Sequence, residues 1–149
     1  MSRMIFVNLP VQDLERSKTF YEAIGFRNEP KFSNEAAAMM VLSESIAVML
    51  LTHPFFATFT RKPIADANGS SQVLLAISAE SPAEVDRLVE AAAANGGTAD
   101  PGPKQEMAGM MYGRSFEDPD GHHWEPMWMD AQMAEQGARS VECATADNA

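Results

Sequence analysis

Residues 113–130, GRSFEDPDGHHWEPMWMD, are the stretch whose reading decides the fold. Asp118-Pro119-Asp120-Gly121 carries turn chemistry at each position. The first aspartate accepts from backbone N–H groups, proline presets φ, the second aspartate tolerates the third position, and glycine ends the turn. Strand-like runs over 112–117 and 122–129 flank it, so the spacing predicts a hairpin. Alternation places His123, Glu125, Met127 and Met129 on one face of the second strand, and Trp124, Pro126 and Trp128 on the other. A carboxylate on an otherwise apolar face makes Glu125 the first candidate catalytic group, as a general acid or base.

Working outward, residues 73–78 (VLLAIS) read as a continuous apolar strand. Ser81-Pro82-Ala83-Glu84 is a capping box with proline at N1. Val85, Leu88, Val89 and Ala92 give the helix that follows one buried stripe, and Asn95-Gly96-Gly97 closes it. Residues 98–99 and 104–107 supply further strands before the hairpin. The first half has the same order. Residues 4–9 (MIFVNL) form a strand that Pro10 ends or places at an edge. Asp13 is the N-cap of a helix with Leu14, Ser17, Phe20, Tyr21 and Ile24 on one side, and Gly25 stops it. Strands follow over 28–32, 36–42 and 46–52, the last two joined by Ser43-Glu44-Ser45.

Each half is therefore β-α-β-β-β, and the fold class is α+β. One such unit exposes a sheet face, and a second beside it buries much of that face. Two units meeting edge to edge curl into an incomplete barrel around a hollow, the default ligand site. The expected organisation is one domain over residues 1–130, with units at about 4–52 and 72–130. A connection over 53–71 joins them, carrying Phe55, Phe56 and Phe59, and residues 131–149 form a polar C-terminal tail. Connections this long are often functional; this one covers a cavity, meets a second copy or caps the sheet.

Composition bounds the function. A net charge of −10 excludes a nucleic-acid partner, which needs a basic footprint, and suits a neutral or cationic small ligand. No apolar run has the length of a membrane span, no signal-peptide pattern opens the chain, and Cys143 is the only cysteine, so a cytoplasmic location is expected.

Two segments resemble a known family. FVNLPVQDLERSKTFYEAIGF and SFEDPDGHHWE are similar to the opening and closing motifs of the vicinal oxygen chelate superfamily, which includes glyoxalases, bleomycin- and fosfomycin-resistance proteins and extradiol dioxygenases. The resemblance spans residues 4–130 and implies paired βαβββ modules, commonly as a homodimer. In its metal-dependent members a divalent ion, held by His, Gln and Glu from the first and last strands of each module, chelates adjacent substrate oxygens and stabilises charge developing on them. Carried over, Glu125 matches the carboxylate ligand. The other positions hold Phe6, Leu50 (or Met49 in a slipped register) and Val73, with Gln72 one residue away. The resemblance thus implies a member with no metal ligand set and no cofactor.

What remains is a pocket. Asn8 shares parity with Phe6 and Thr52 with Leu50, so all four are expected to face the hollow with Glu125. From the hairpin's first strand, either Tyr112, Arg114 and Phe116 or Gly113, Ser115 and Glu117 join them. Tyr112 and Arg114 are the pocket candidates, Arg114 to pair with Glu125 or hold an anion. His53, His122 and His123 are expected to be solvated or structural. Two functions follow: a metal-free protein of the bleomycin-resistance kind that binds a small apolar or cationic molecule, or a lyase, isomerase or oxygenase using a divalent metal with Glu125 as ligand or base.

Overall fold

The computed structural model describes residues 3–137. The first unit comprises β1 (Ile5–Val11), α1 (Leu14–Ala23), β2 (Arg27–Glu29), β3 (Ala37–Val41) and β4 (Ile46–Thr52), in sheet order β1-β4-β3-β2. A short helix, α2 (His53–Phe56), opens the connection. The second unit comprises β5 (Leu74–Ser78), α3 (Pro82–Ala94), β6 (Thr98–Ala99), β7 (Gln105–Met107), β8 (Met111–Gly113), β9 (Phe116–Glu117) and β10 (His123–Met129). β10 pairs in parallel with β5 and antiparallel with β8 and β9, which carry β7 and β6 outside them. The second sheet thus repeats the strand order of the first, with its two outer positions each split in two. The architecture is α+β with a curled half-barrel sheet.

Local chemistry sets the element ends. Asp13 accepts from the Arg16 amide at 3.0 Å, and Ser81 from the Glu84 amide at 3.1 Å, each satisfying an orphan donor of its helix. Pro10 does not end β1, which runs on to Val11: β1 is an edge strand, and the Pro10 carbonyl points off it to His122 Nε2 at 2.8 Å. The strand expected over 28–32 stops at Glu29, because Pro30 starts a 3₁₀ turn. The strand expected over 112–117 breaks at Arg114 and Ser115. There Ser115 turns inward to accept from the Gly102 amide at 3.0 Å, and its carbonyl accepts from the Asp100 amide at 2.9 Å. Residues 131–137 are helical; the rest of the expected polar tail, with Cys143, lies outside the described residues. Among the described residues no helix is long and apolar enough to cross a membrane.

One core joins the two units. Phe20, Tyr21 and Phe26 from the first pack with Phe116 and Trp124 from the second, ring centroids 5.1–6.3 Å apart. Through this core runs a polar lock built from the turn that opens β10. Asp118 Oδ1 accepts from the amides of Asp120 and His122, both at 2.9 Å, which shapes the turn. Its Oδ2 accepts from the Tyr21 hydroxyl at 2.7 Å, and that hydroxyl accepts from Trp124 Nε1 at 3.1 Å. Asp120 reaches the start of α1, accepting from the Gln12 amide at 2.9 Å and the Ser17 hydroxyl at 3.2 Å.

Burial pushes the Tyr21 phenol well above its ordinary pKa, and the Asp118 carboxylate adds to the shift. A pKa raised by folding means stability that is full below the unfolded value and is lost as pH rises through the folded one. Tyr21→Phe leaves the Trp124 indole without an acceptor and Asp118 with one donor fewer, so urea unfolding at pH 7 is expected to show a loss of about 2–3 kcal/mol. The same variant is expected to lose less stability than the wild type as pH rises above about 10, where a tyrosine in the unfolded chain ionises while buried Tyr21 keeps its proton.

Candidate functional site

Helices cover one face of each sheet and leave the other open. In the first sheet Leu9 and Leu50 are directly paired and both buried in the core, so Leu50 and, by parity, Thr52 point to the helix-covered side. This corrects the expectation that they share a hollow with Phe6 and Asn8. The residue across from Asn8 is Met49, and Phe6 is 48% exposed beside it. In the second sheet Trp124 and Pro126 are buried, so His123, Glu125 and Met127 occupy the helix-free face. Their cross-strand partners Glu117 and Gly113 lie there too. Of the two sets left open for the hairpin strand, the one with Gly113 and Glu117 shares the Glu125 face.

Tyr112 and Arg114 turn the other way, to α3, and the expected pairing of Arg114 with Glu125 does not form. Arg114 donates through Nε and Nη2 to Asp100 at 3.0 and 2.6 Å, and through Nη1 to Asp86 at 2.9 Å; Tyr112 donates to Asp86 at 2.6 Å. The forked guanidinium matches carboxylates in this bidentate manner. Hydrogen bonds from Tyr112 and then Arg114 hold the Asp86 carboxyl below its usual range, and Arg114 does the same to Asp100. The cluster ties β8 to α3.

A cavity of about 420 Å³ opens between β1 and the starts of β5 and β10. Val7, Leu9 and Leu75 give it apolar walls; Asn8, Gln72, Glu117 and His123 are its polar groups. The connection roofs it with Phe56, Pro63 and Ile64. Gly121 makes that roof fit: φ is +89°, and a Cβ there would stand 2.6 Å from Asn68 Oδ1 and 2.9 Å from backbone atoms of Ala67 and Asn68. Asn8 is the one expected pocket residue among the cleft's walls. Glu125 sits just behind it, its Oε1 3.3 Å from His123 Nε2. Of the two states expected for the histidines, solvated or structural, His123 is not solvated, with its side chain only 16% exposed, and His122 is held by the Pro10 carbonyl. The alternation that placed His123 beside Glu125 was the available signal for it. A larger cavity, about 530 Å³, lies on the helix-covered side between α1 and α3, where Glu84 and Arg87 pair with each other at 3.7 Å.

Among the described residues no three His, Cys, Asp or Glu side chains come together, and the positions that the resemblance gives to the other metal ligands hold Phe6, Met49 and Val73, none of which ligates a divalent ion.

Paired βαβββ units with a cleft beside the last strand define a class of proteins. The sequence matches the family described as Glyoxalase/Bleomycin resistance protein/Dioxygenase superfamily over residues 3–125, and the chain belongs to it. Among solved structures it is similar to the hypothetical protein SA1046 from S. aureus, with 26% identity, TM-score 0.71, and coverage of 86% of this chain and 94% of that one. The fold is shared with the fosfomycin resistance protein FosX from Mesorhizobium loti, at 18% identity and TM-score 0.59, covering 90% and 95%. It is shared also with TnmS3, an antibiotic binding protein from Streptomyces sp. CB03234, at 20% identity and TM-score 0.58, covering 87% and 98%. No curated protein matches the chain.

Because Arg114 faces α3, Arg114→Met is expected to leave ligand affinity unchanged. Its cost in stability at pH 7 is expected to be about 1 kcal/mol, since both carboxylates are partly exposed and screened. Carboxylates depressed by folding contribute stability that is lost as pH falls through their folded pKa, so an acid titration of stability is expected to be shallower in this variant than in the wild type.

Proposed function

We propose that the protein binds a small apolar or cationic molecule in the cleft between β1 and β10, without a metal and without turnover. The observation that carries this reading is the cleft itself. Its volume of about 420 Å³ suits a small ligand, its walls are mainly apolar, and its acidic groups, Glu117 with Glu125 behind, are not assembled into a metal site. The net charge of −10 favours a cation over an anion. Met49, paired across the strands with Asn8 of the cleft wall, is a side chain that adapts to apolar ligands of varied shape.

The working unit in this reading is a homodimer in the cytoplasm. The helix-free faces leave Phe6 48%, Leu74 56%, Met107 48% and Met129 40% exposed, an apolar area that a second copy covers. Light scattering on the full chain is expected to give a dimer, and Phe6→Asp with Leu74→Asp a folded monomer; a wild-type monomer contradicts this part. Fluorescence titration with small aromatic amines is expected to give affinities of about micromolar or tighter, lost in Ser71→Trp, which fills the cleft. Protein purified without chelator is expected to contain much less than one equivalent of any transition metal. A stoichiometric metal would favour the lyase, isomerase or oxygenase alternative, with Glu125 as ligand or base.

A further inference from the structure

His123 differs from every other polar side chain around the cleft. Its Nε2 is enclosed and has no aligned hydrogen bond, although Glu125 Oε1 is 3.3 Å away. The Cε1–Nε2 edge of the ring is turned inward. A Cβ added at Gly102 would stand 3.5 Å from Cε1 and 3.9 Å from Nε2, and Gly102 is itself held through its amide by Ser115 Oγ at 3.0 Å. His123 also lines the cleft, whose walls do not include Glu125; with Nε2 enclosed, Nδ1 is the ring nitrogen left for a ligand to meet.

The two neutral tautomers are not equivalent in this setting. A proton on Nδ1 leaves the Nε2 lone pair facing a carboxylate oxygen, acceptor against acceptor, in a place water does not reach. A proton on Nε2 gives the pair an N–H···O⁻ hydrogen bond after a small side-chain adjustment. The carboxylate therefore selects the Nε2–H form, and the bond made by one ring nitrogen sets what the other can do. Nδ1 is then a lone-pair acceptor at the edge of an apolar cavity. His122 does not compete for this role, because its Nε2 is bonded to the Pro10 carbonyl.

We infer that His123 is the residue that meets the ligand, that Glu125 acts through it as a positioning residue, and that the ligand presents a protonated amine on an apolar body to His123 Nδ1. The inference rests on the cleft being the ligand site, and it replaces direct contact by Glu125 with contact by its neighbour. A cationic donor fits better than a neutral one, since Glu117 and Glu125 both stand on this face.

The test uses the full chain and two probes of similar shape, 1-naphthylmethylamine (charged at neutral pH) and 1-methylnaphthalene (no donor). The wild type is expected to bind the amine about tenfold or more tightly than the hydrocarbon. His123→Leu is expected to bring the two affinities within about twofold while keeping the hydrocarbon's. Glu125→Gln still accepts from Nε2–H, so it is expected to retain the preference within about threefold, whereas Glu125→Leu loses it. Side-chain ¹⁵N spectra are expected to show His123 as the Nε2–H tautomer in the wild type and Glu125→Gln, and a shift toward Nδ1–H in Glu125→Leu. Equal losses in Glu125→Gln and Glu125→Leu, with His123→Leu unchanged, make Glu125 the direct partner and overturn the inference. Equal wild-type affinity for the two probes also overturns it, leaving the cleft reading intact. Failure of both probes to bind overturns the cleft reading and the inference together.

Discussion

The hydrogen bond from the Tyr21 hydroxyl to Asp118 is the constraint on which the rest of the structure depends. It joins residues 97 positions apart, one on the first helix and one on the turn before the last strand. Asp118 spends one oxygen on shaping that turn and the other on Tyr21, so the turn cannot form in its native place unless α1 is docked. Three parts of the cleft hang from the same turn: His122 reaches back to the end of β1, Gly121 admits the backbone of the roof, and β10 begins with His123. Burial raises the pKa of Asp118, so its charge is a cost at neutral pH that the surrounding donors offset.

Much of this was legible in the sequence because it follows local rules. The caps at Asp13 and Ser81, the stop at Gly25, the turn at Asp118–Gly121 and the repeated βαβββ order each rest on residues within a few positions of one another. The face of β10 was legible too, since one strand's alternation needs no partner. What failed was register between strands. Counting along β4 alone gave no way to choose Leu50 over Met49, and only the pairing of Leu9 with Leu50 puts Leu50 in the core. Tyr112 and Arg114 went to the wrong face for the same reason. Their partners Asp86 and Asp100 lie 26 and 14 residues away in the chain, on no motif. The partners of Asp118 and Asp120 are about a hundred residues distant, beyond any local signal.

This division also explains why the family motifs say little about activity. Ser17, Tyr21, Asp118, Asp120 and Trp124 lie in the two segments that carry the resemblance, and the structure uses all five in the lock between units. They mark the scaffold. One scaffold hosts many chemistries, and the polar groups at the cleft of this chain, Asn8, Gln72, Glu117 and His123 with Glu125 behind them, lie mostly outside the lock.

A double-mutant cycle between Tyr21→Phe and Asp118→Asn, read by urea unfolding at pH 7, measures the lock directly. The account predicts a coupling energy of about 1 kcal/mol or more, because each group's role in joining the units requires the other. Effects that add to within about 0.3–0.5 kcal/mol would contradict it, leaving the tyrosine and the aspartate as independent contributors and the placement of β10 against β1 without its cause.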